Sequence, residues 1–149
     1  MKIEMIKQHG GVLLPVDDIA SDEMKKFKSG EQYQIEIKRA RNPHFHRKVY
    51  AFFNFCFEHW DGVEAYTEHM SPAVQMDRFR KDLIILAGYY ESSVRLNGDT
   101  RIEAKSISYA AMSQDDFENF YHALVNAALK HIFHRMNDRK LSAELLAFF

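Results

Sequence analysis

The segment PHFHRKVYAFFNFCFEHW, residues 43–60, constrains this 149-residue chain more than any other. Phe45, Val49, Phe52, Phe53, Cys56 and Trp60 recur at helical spacing, and Phe55 and Phe57 widen the stripe beyond one contact face. Asn42 stands before it as a cap. Pro43 takes the first helical position, where a missing N–H costs nothing. A helix so apolar must be central, with other elements covering it from more than one side. The chain has 12 Phe, 7 Tyr and 1 Trp, enough large rings to build the cover.

The remaining elements follow from pattern. KIEMIKQHGGVLLPV reads as a hairpin around His9-Gly10-Gly11, and SDEMKKFKSG as a short helix with Ser21 as cap and Gly30 as stop. In EQYQIEIK, Tyr33, Ile35 and Ile37 alternate with Gln34, Glu36 and Lys38, which predicts a half-buried strand. Residues 61–76 are polar and contain Pro72, which predicts a connection. MDRFRKDLIILAG predicts a helix ended by Gly88, with Phe79, Leu83 and Leu86 inward. Two strands flank Asn97-Gly98, and a shift of apolar phase between Ala104 and Ile107 predicts a bulge or bend near Lys105-Ser106. Ser113 caps a long helix with the stripe Phe117, Phe120, Tyr121, Leu124, Val125, Ala128, Ile132 and Met136. LSAELLAFF forms a short apolar terminal helix. The expected class is α+β: a mostly antiparallel sheet packed on the central helix and the long C-terminal helix. One domain, 1–149, is expected, divided into 1–38 (hairpin, short helix, strand), 39–137 (helix–hairpin–helix core) and 138–149 (terminal helix).

The single Cys56 excludes an internal disulfide, and no apolar run approaches ~18 residues, so a soluble cytoplasmic protein without membrane association is expected. Net charge is −1, which argues against a strongly basic coat. The charge is unevenly spread. Residues 37–57 hold no Asp or Glu but five cations, Lys38, Arg39, Arg41, Arg47 and Lys48, leaving about −6 (−1 minus +5) for the rest. Unpaired N–H groups and the dipole make a helix start attractive to anions. This helix places His44, Arg47 and Lys48 there instead of acids, at a local cost that a bound anion would offset. The competing reading lays the Arg and Lys stems along the aromatic surface or pairs their heads with Asp and Glu elsewhere.

Enzymatic chemistry has thin support. His44-x-His46 and His131-x-x-His134 with one Cys do not make the paired Cys/His spacings of a zinc site, so neither metal nor cofactor is expected. Asp99, Glu103 and Lys105 loosely fit a magnesium-dependent nuclease, but Glu36-Ile37-Lys38 repeats the Glu-x-Lys pattern, which any polar strand face supplies. Cys56 lies on the apolar stripe as an inert thiol. There is no phosphate-binding glycine loop and no nucleophile elbow. No catalytic residue is assigned.

Three segments, RNPHFHRK at 41–48, FRKDLIILAGYYE at 79–91 and KSISYAAM…DFENFY at 105–121, resemble an uncharacterised lambdoid prophage protein family over residues 30–132. The run YQIEIKRARNPHFHRKVYAFFNF, with its order of helix, hairpin and long helix, is more distantly similar to the NinB (Orf) recombination mediators of lambda-type phages. There a strand leads through an Arg into a Gln-Asn-Arg-Lys-aromatic helix start, and His46 stands here in place of the Asn. The resemblance implies a homodimer that binds single-stranded DNA and helps load a recombinase. Arg47 and Lys48 are then backbone contacts with Arg39 and Arg41 beside them, and exposed aromatics such as Tyr50 are stacking surfaces.

The expected DNA-binding set is therefore Lys38, Arg39, Arg41, His44, His46, Arg47, Lys48, Arg78, Arg80 and Lys105, acting on single-stranded or junction DNA. The alternative is a phage factor that docks on a host nuclease, CRISPR or recombination protein. It is motivated by the apolar end Leu141, Leu145, Leu146, Phe148 and Phe149, which must cover its own domain or a partner. A nuclease stands third.

Overall fold

The structure, a computed structural model, describes residues 1–135 and 138–149, so the stripe position Met136 lies outside the described residues. The class is α+β, with helix dominant and two small antiparallel sheets. The chain gathers into two compact units, Met1–Ile37 and Lys38–Phe149.

In the first unit, β1 (Met5–Lys7) pairs antiparallel with β2 (Leu13–Pro15) across a 3-10 turn, His9–Gly11, as the paired glycines predict. Helix α1 spans Asp18–Met24. Its cap is Asp17, whose carboxylate accepts the Ala20 N–H at 2.8 Å, while Ser21 lies inside the helix. The predicted cap at Ser21 and stop at Gly30 are both corrected: an acid four residues earlier accepts the Ala20 N–H as the cap, and the helix ends before Lys25. The predicted strand over 33–37 is also absent among the described residues. Ile35 and Ile37 are 71% and 73% exposed, and no described strand pairs with them. Alternation specifies a strand only when a neighbour supplies the ladder. Tyr33 instead folds back on the Phe27 ring at 4.9 Å, and its hydroxyl donates to Glu31 and accepts from the Lys28 N–H.

The second unit is built on α2 (Pro43–Glu58), as its stripe demands. Val49, Phe52, Phe53 and Cys56 are fully buried and meet Phe79, Leu83 and Ile84 of α4 (Pro72–Leu86) and Phe117, Phe120 and Leu124 of α5 (Gln114–His131). Each buried ring contributes about 1.5–3 kcal/mol of burial, so this three-helix contact dominates the stability. Helix α3 (Val63–His69) occupies what the sequence predicts to be a connection. Local periodicity does not announce it. It is held by Tyr66, which lies 4.7 Å from the Trp60 ring and donates its hydroxyl to Asp82 at 2.6 Å.

Gly88, at φ +91°, takes the left-handed turn out of α4 that a side chain would strain. The hairpin β3 (Tyr90–Val94) and β4 (Thr100–Ala104) follows in the register set by Asn97-Gly98. Of the bulge or bend predicted near Lys105-Ser106 the structure has the bend: β4 ends at Ala104, and the phase shift marks the point where the chain leaves the strand and turns Ile107 into the core. Ser113 caps α5 as predicted, its hydroxyl accepting the Asp116 N–H.

Helix α6 (Arg139–Leu146) folds the chain end onto its own core. Leu145 is buried, Leu141 half-buried, and Phe148 lies 5.3 Å from Phe52 and 5.2 Å from Phe55 with its carbonyl accepting the Tyr121 hydroxyl at 2.6 Å. Burial pushes that phenol up to about 12. Only Leu146 and Phe149 of the five predicted tail residues stay exposed. Phe148→Ala should therefore lower the unfolding free energy in urea by about 2–3 kcal/mol, while Leu146→Ala leaves it nearly unchanged. Equal effects of the two would show that the tail is not docked in this way.

Candidate functional site

The start of α2 is closed to an outside anion by its own cap. The Asn42 side-chain oxygen accepts the N–H groups of His44 (2.9 Å) and Phe45 (3.3 Å), and the Asn42 N–H donates to the buried Gln114 at 2.8 Å. The predicted anion site on this helix lip is thus corrected: the donors that make a helix start attractive already have partners.

Arg41 has a structural task. Its guanidinium donates to the carbonyls of Met112 (2.9 Å), Ile107 (3.3 Å) and Ser108 (3.4 Å), and bonds His46 Nδ1 at 2.9 Å. It also lies 3.6 Å above the centroid of Phe117 and 5.0 Å from that of Tyr109, at cation–π distance. Its Nε is buried with no hydrogen-bond partner among the described residues. Burial, with the Arg41 charge beside it, holds His46 below the usual histidine range, so the ring is neutral and its Nδ1 accepts from Arg41.

The other predicted cations scatter. Arg39 bridges Asp115 (2.8 Å) and Glu118 (3.1 Å) on the exposed side of α5. Arg47 bonds the His44 ring at 2.8 Å, both exposed. Lys48 lies 5.4 Å from the Tyr121 ring, in a groove of about 500 Å³ shared with Phe45, Val125, Leu129 and Phe149. Lys38 opens the second unit, in the irregular segment before α2. Arg78 is bound to Asp82, with Nε at 2.9 Å, the same carboxylate that holds Tyr66. Two residues apart on a helix, Arg78 and Arg80 point about 200° from each other, so they do not share a groove.

Arg80, Lys105 and His46 do converge. They line a groove of about 470 Å³ with Tyr50, Lys81, Ile84, Ala104, Ser106, Ile107, Ser108 and Tyr109. Three permanent cations face it, and among the described residues no carboxylate lines it. Arg80 donates to the Tyr50 hydroxyl at 2.8 Å and to Asp77 at 2.7 Å, and Lys81 reaches the same Asp77 at 2.7 Å. The rings of Tyr50, His46 and Tyr109 run in series at 4.9 and 4.7 Å, tilted 35° and 32°, and Tyr109 is 50% exposed. The Ser106 and Ser108 hydroxyls, 3.1 Å apart, are exposed beside Lys105. This combination suits a phosphate with an attached planar group.

Lys81, Ser106, Ser108 and Tyr109 lie outside the set expected from sequence. Their signal is in the segments FRK and KSISY, where charge, hydroxyls and a ring stand side by side. Residues from the segments 41–48, 79–91 and 105–121, with Tyr50 and Ala104 beside them, meet in this groove.

The remaining chemistry is quiet. Glu103 of the nuclease-like trio pairs with Arg101, Asp99 is held by Asn97 in the turn, and Cys56 is buried with its thiol pushed up to about 12. His131 and His134 are exposed near the end of α5. Among the described residues no group of three or more His, Cys, Asp or Glu comes together, and no helix is long and apolar enough to cross a membrane.

A helical α+β chain with a cationic, tyrosine-lined groove is the class of protein that these features define. The family model described as a protein of unknown function (DUF1367) matches residues 1–69 and 64–147, and the chain belongs to that family. No curated protein and no solved structure matches it.

Arg41→Ala should lower the unfolding free energy by about 2–3 kcal/mol, because it strips a charged donor from three carbonyls at once. Arg39→Ala, whose ion pairs are open to water, should give a much smaller change in the same urea titration. If the two variants unfold alike, Arg41 is not the anchor described.

Proposed function

We propose that this DUF1367 protein is a phage or prophage accessory factor that binds single-stranded or junction DNA, similar in role to the NinB mediators. The observation that supports it best is the groove between α4 and the 104–109 segment: three cations, two hydroxyls and a half-exposed tyrosine, with no carboxylate in the lining among the described residues. Phosphates would lie against Arg80, Lys81 and Lys105, and a base against Tyr109. Affinity in such a site comes from charge and stacking, so sequence preference is weak. Arg39, Arg41 and Arg78 are committed to bonds within the protein, and Lys48 lies in a separate groove beside Tyr121.

Docking on a host recombination or defence protein is the second reading. It is favoured by the β3–β4 hairpin, on which Tyr90, Val94, Leu96 and Ile102 are all exposed.

Fluorescence anisotropy of a labelled thymidine oligonucleotide tests the first reading. Arg80→Ala/Lys105→Ala should weaken binding about tenfold or more. It should also flatten the salt dependence by about 0.7 log units per decade for each phosphate left without its cation. Arg39→Ala should leave both unchanged. Undiminished binding by the double variant would remove the groove as the site.

A further inference from the structure

The charge of the groove selects among phosphates. Arg80, Lys81 and Lys105 bring +3, and Asp77, bonded to both Arg80 and Lys81, brings −1, which leaves +2. Lys105 makes no ion pair among the described residues, so its ammonium is available to a ligand. A phosphodiester inside a strand carries one negative charge, whereas a phosphomonoester carries about −1.5 to −2 near pH 7 and offers three acceptor oxygens. The donors match the second better: two ammonium groups, a guanidinium and the adjacent hydroxyls of Ser106 and Ser108. Among the described residues no carboxylate lines the groove itself, and His46, with Arg41 bonded to its ring, stands in the wall beside the three cations. The groove also has the size of a small-ligand pocket, about 470 Å³, at the low end of the range such pockets span. That suits one nucleotide better than a long track.

On the reading that the protein binds single-stranded DNA at this groove, we infer that the groove seats the phosphorylated end of a strand. The terminal phosphomonoester sits among Arg80, Lys81, Lys105 and the two serines, and the terminal base stacks on Tyr109. The protein thereby marks strand ends, the substrates at which recombination begins, and the flanking phosphates lie on more weakly charged surface.

The test compares three thymidine oligonucleotides of one length: 5′-phosphorylated, 3′-phosphorylated, and hydroxyl at both ends. Thymidine monophosphate and thymidine are titrated beside them. One phosphorylated oligonucleotide should bind at least about tenfold tighter than the hydroxyl form. Lys105→Ala and Lys81→Ala, both at exposed positions, should each reduce that preference to less than about threefold, because the phosphorylated form loses more affinity than the hydroxyl form. Equal affinity for all three oligonucleotides, still abolished in Arg80→Ala/Lys105→Ala, would overturn the end-binding inference and leave the strand-binding reading standing. Binding of thymidine monophosphate but of no oligonucleotide would support a phosphomonoester site and overturn the strand reading. Absence of binding to every ligand would overturn both.

Discussion

The second unit depends on one guanidinium. Arg41 stands just before the central helix, yet its donors are directed 66 to 71 residues along the chain, to the carbonyls that follow the hairpin. Three carbonyls, a histidine nitrogen and the face of Phe117 converge on it. Placing a charge in a half-buried position is costly unless its hydrogen bonds are nearly complete, and here most of them are. The return is positional. Residues 105–109, outside any regular element, are fixed against α2, and Lys105, Ser106, Ser108 and Tyr109 come to face Arg80 and Lys81 of α4. Without that anchor the groove has one wall.

The sign of a cluster in sequence does not say what its members do. Of the cations near the start of α2, Arg41 faces inward to carbonyls, Arg39 faces outward to Asp115 and Glu118, and Arg47 bonds a neighbouring imidazole. The positive charge left for a ligand comes largely from elsewhere. It arises where Lys105 has no carboxylate partner among the described residues and where Arg80 and Lys81 share one aspartate between two cations. The tyrosines matter for the same reason: Tyr50 is tied to Arg80, while Tyr109 ends a series of rings and keeps half its surface in water.

Much of the fold was legible. The stripe on α2, the Asn42 and Ser113 caps, the Asn97-Gly98 turn and the Gly88 stop are all local signals, and each appears where its residues place it. Ser21 lost the cap of α1 to a nearby acid, Asp17, but two larger failures share one cause, dependence on a distant partner. Tyr33–Ile37 alternates as a strand but has no described strand to pair with, and α3 forms in a polar stretch because Trp60 and Asp82 hold Tyr66. The site was legible only in part. Arg80 and Lys105 stand out by charge, but nothing local distinguishes them from Arg39 or Arg78, whose acid partners lie on α5 or one turn along α4. Lys81 and Tyr109 become visible only once three separated segments are seen to meet.

Amide chemical-shift mapping of the ¹⁵N-labelled protein against a short thymidine oligonucleotide tests most directly whether the groove is where the ligand sits. The largest shifts are expected at residues 104–109 and 80–84, with His46 and Tyr50 on α2. Shifts confined to the Asn42 cap and the exposed face around Arg39, with 104–109 unmoved, would contradict a groove site.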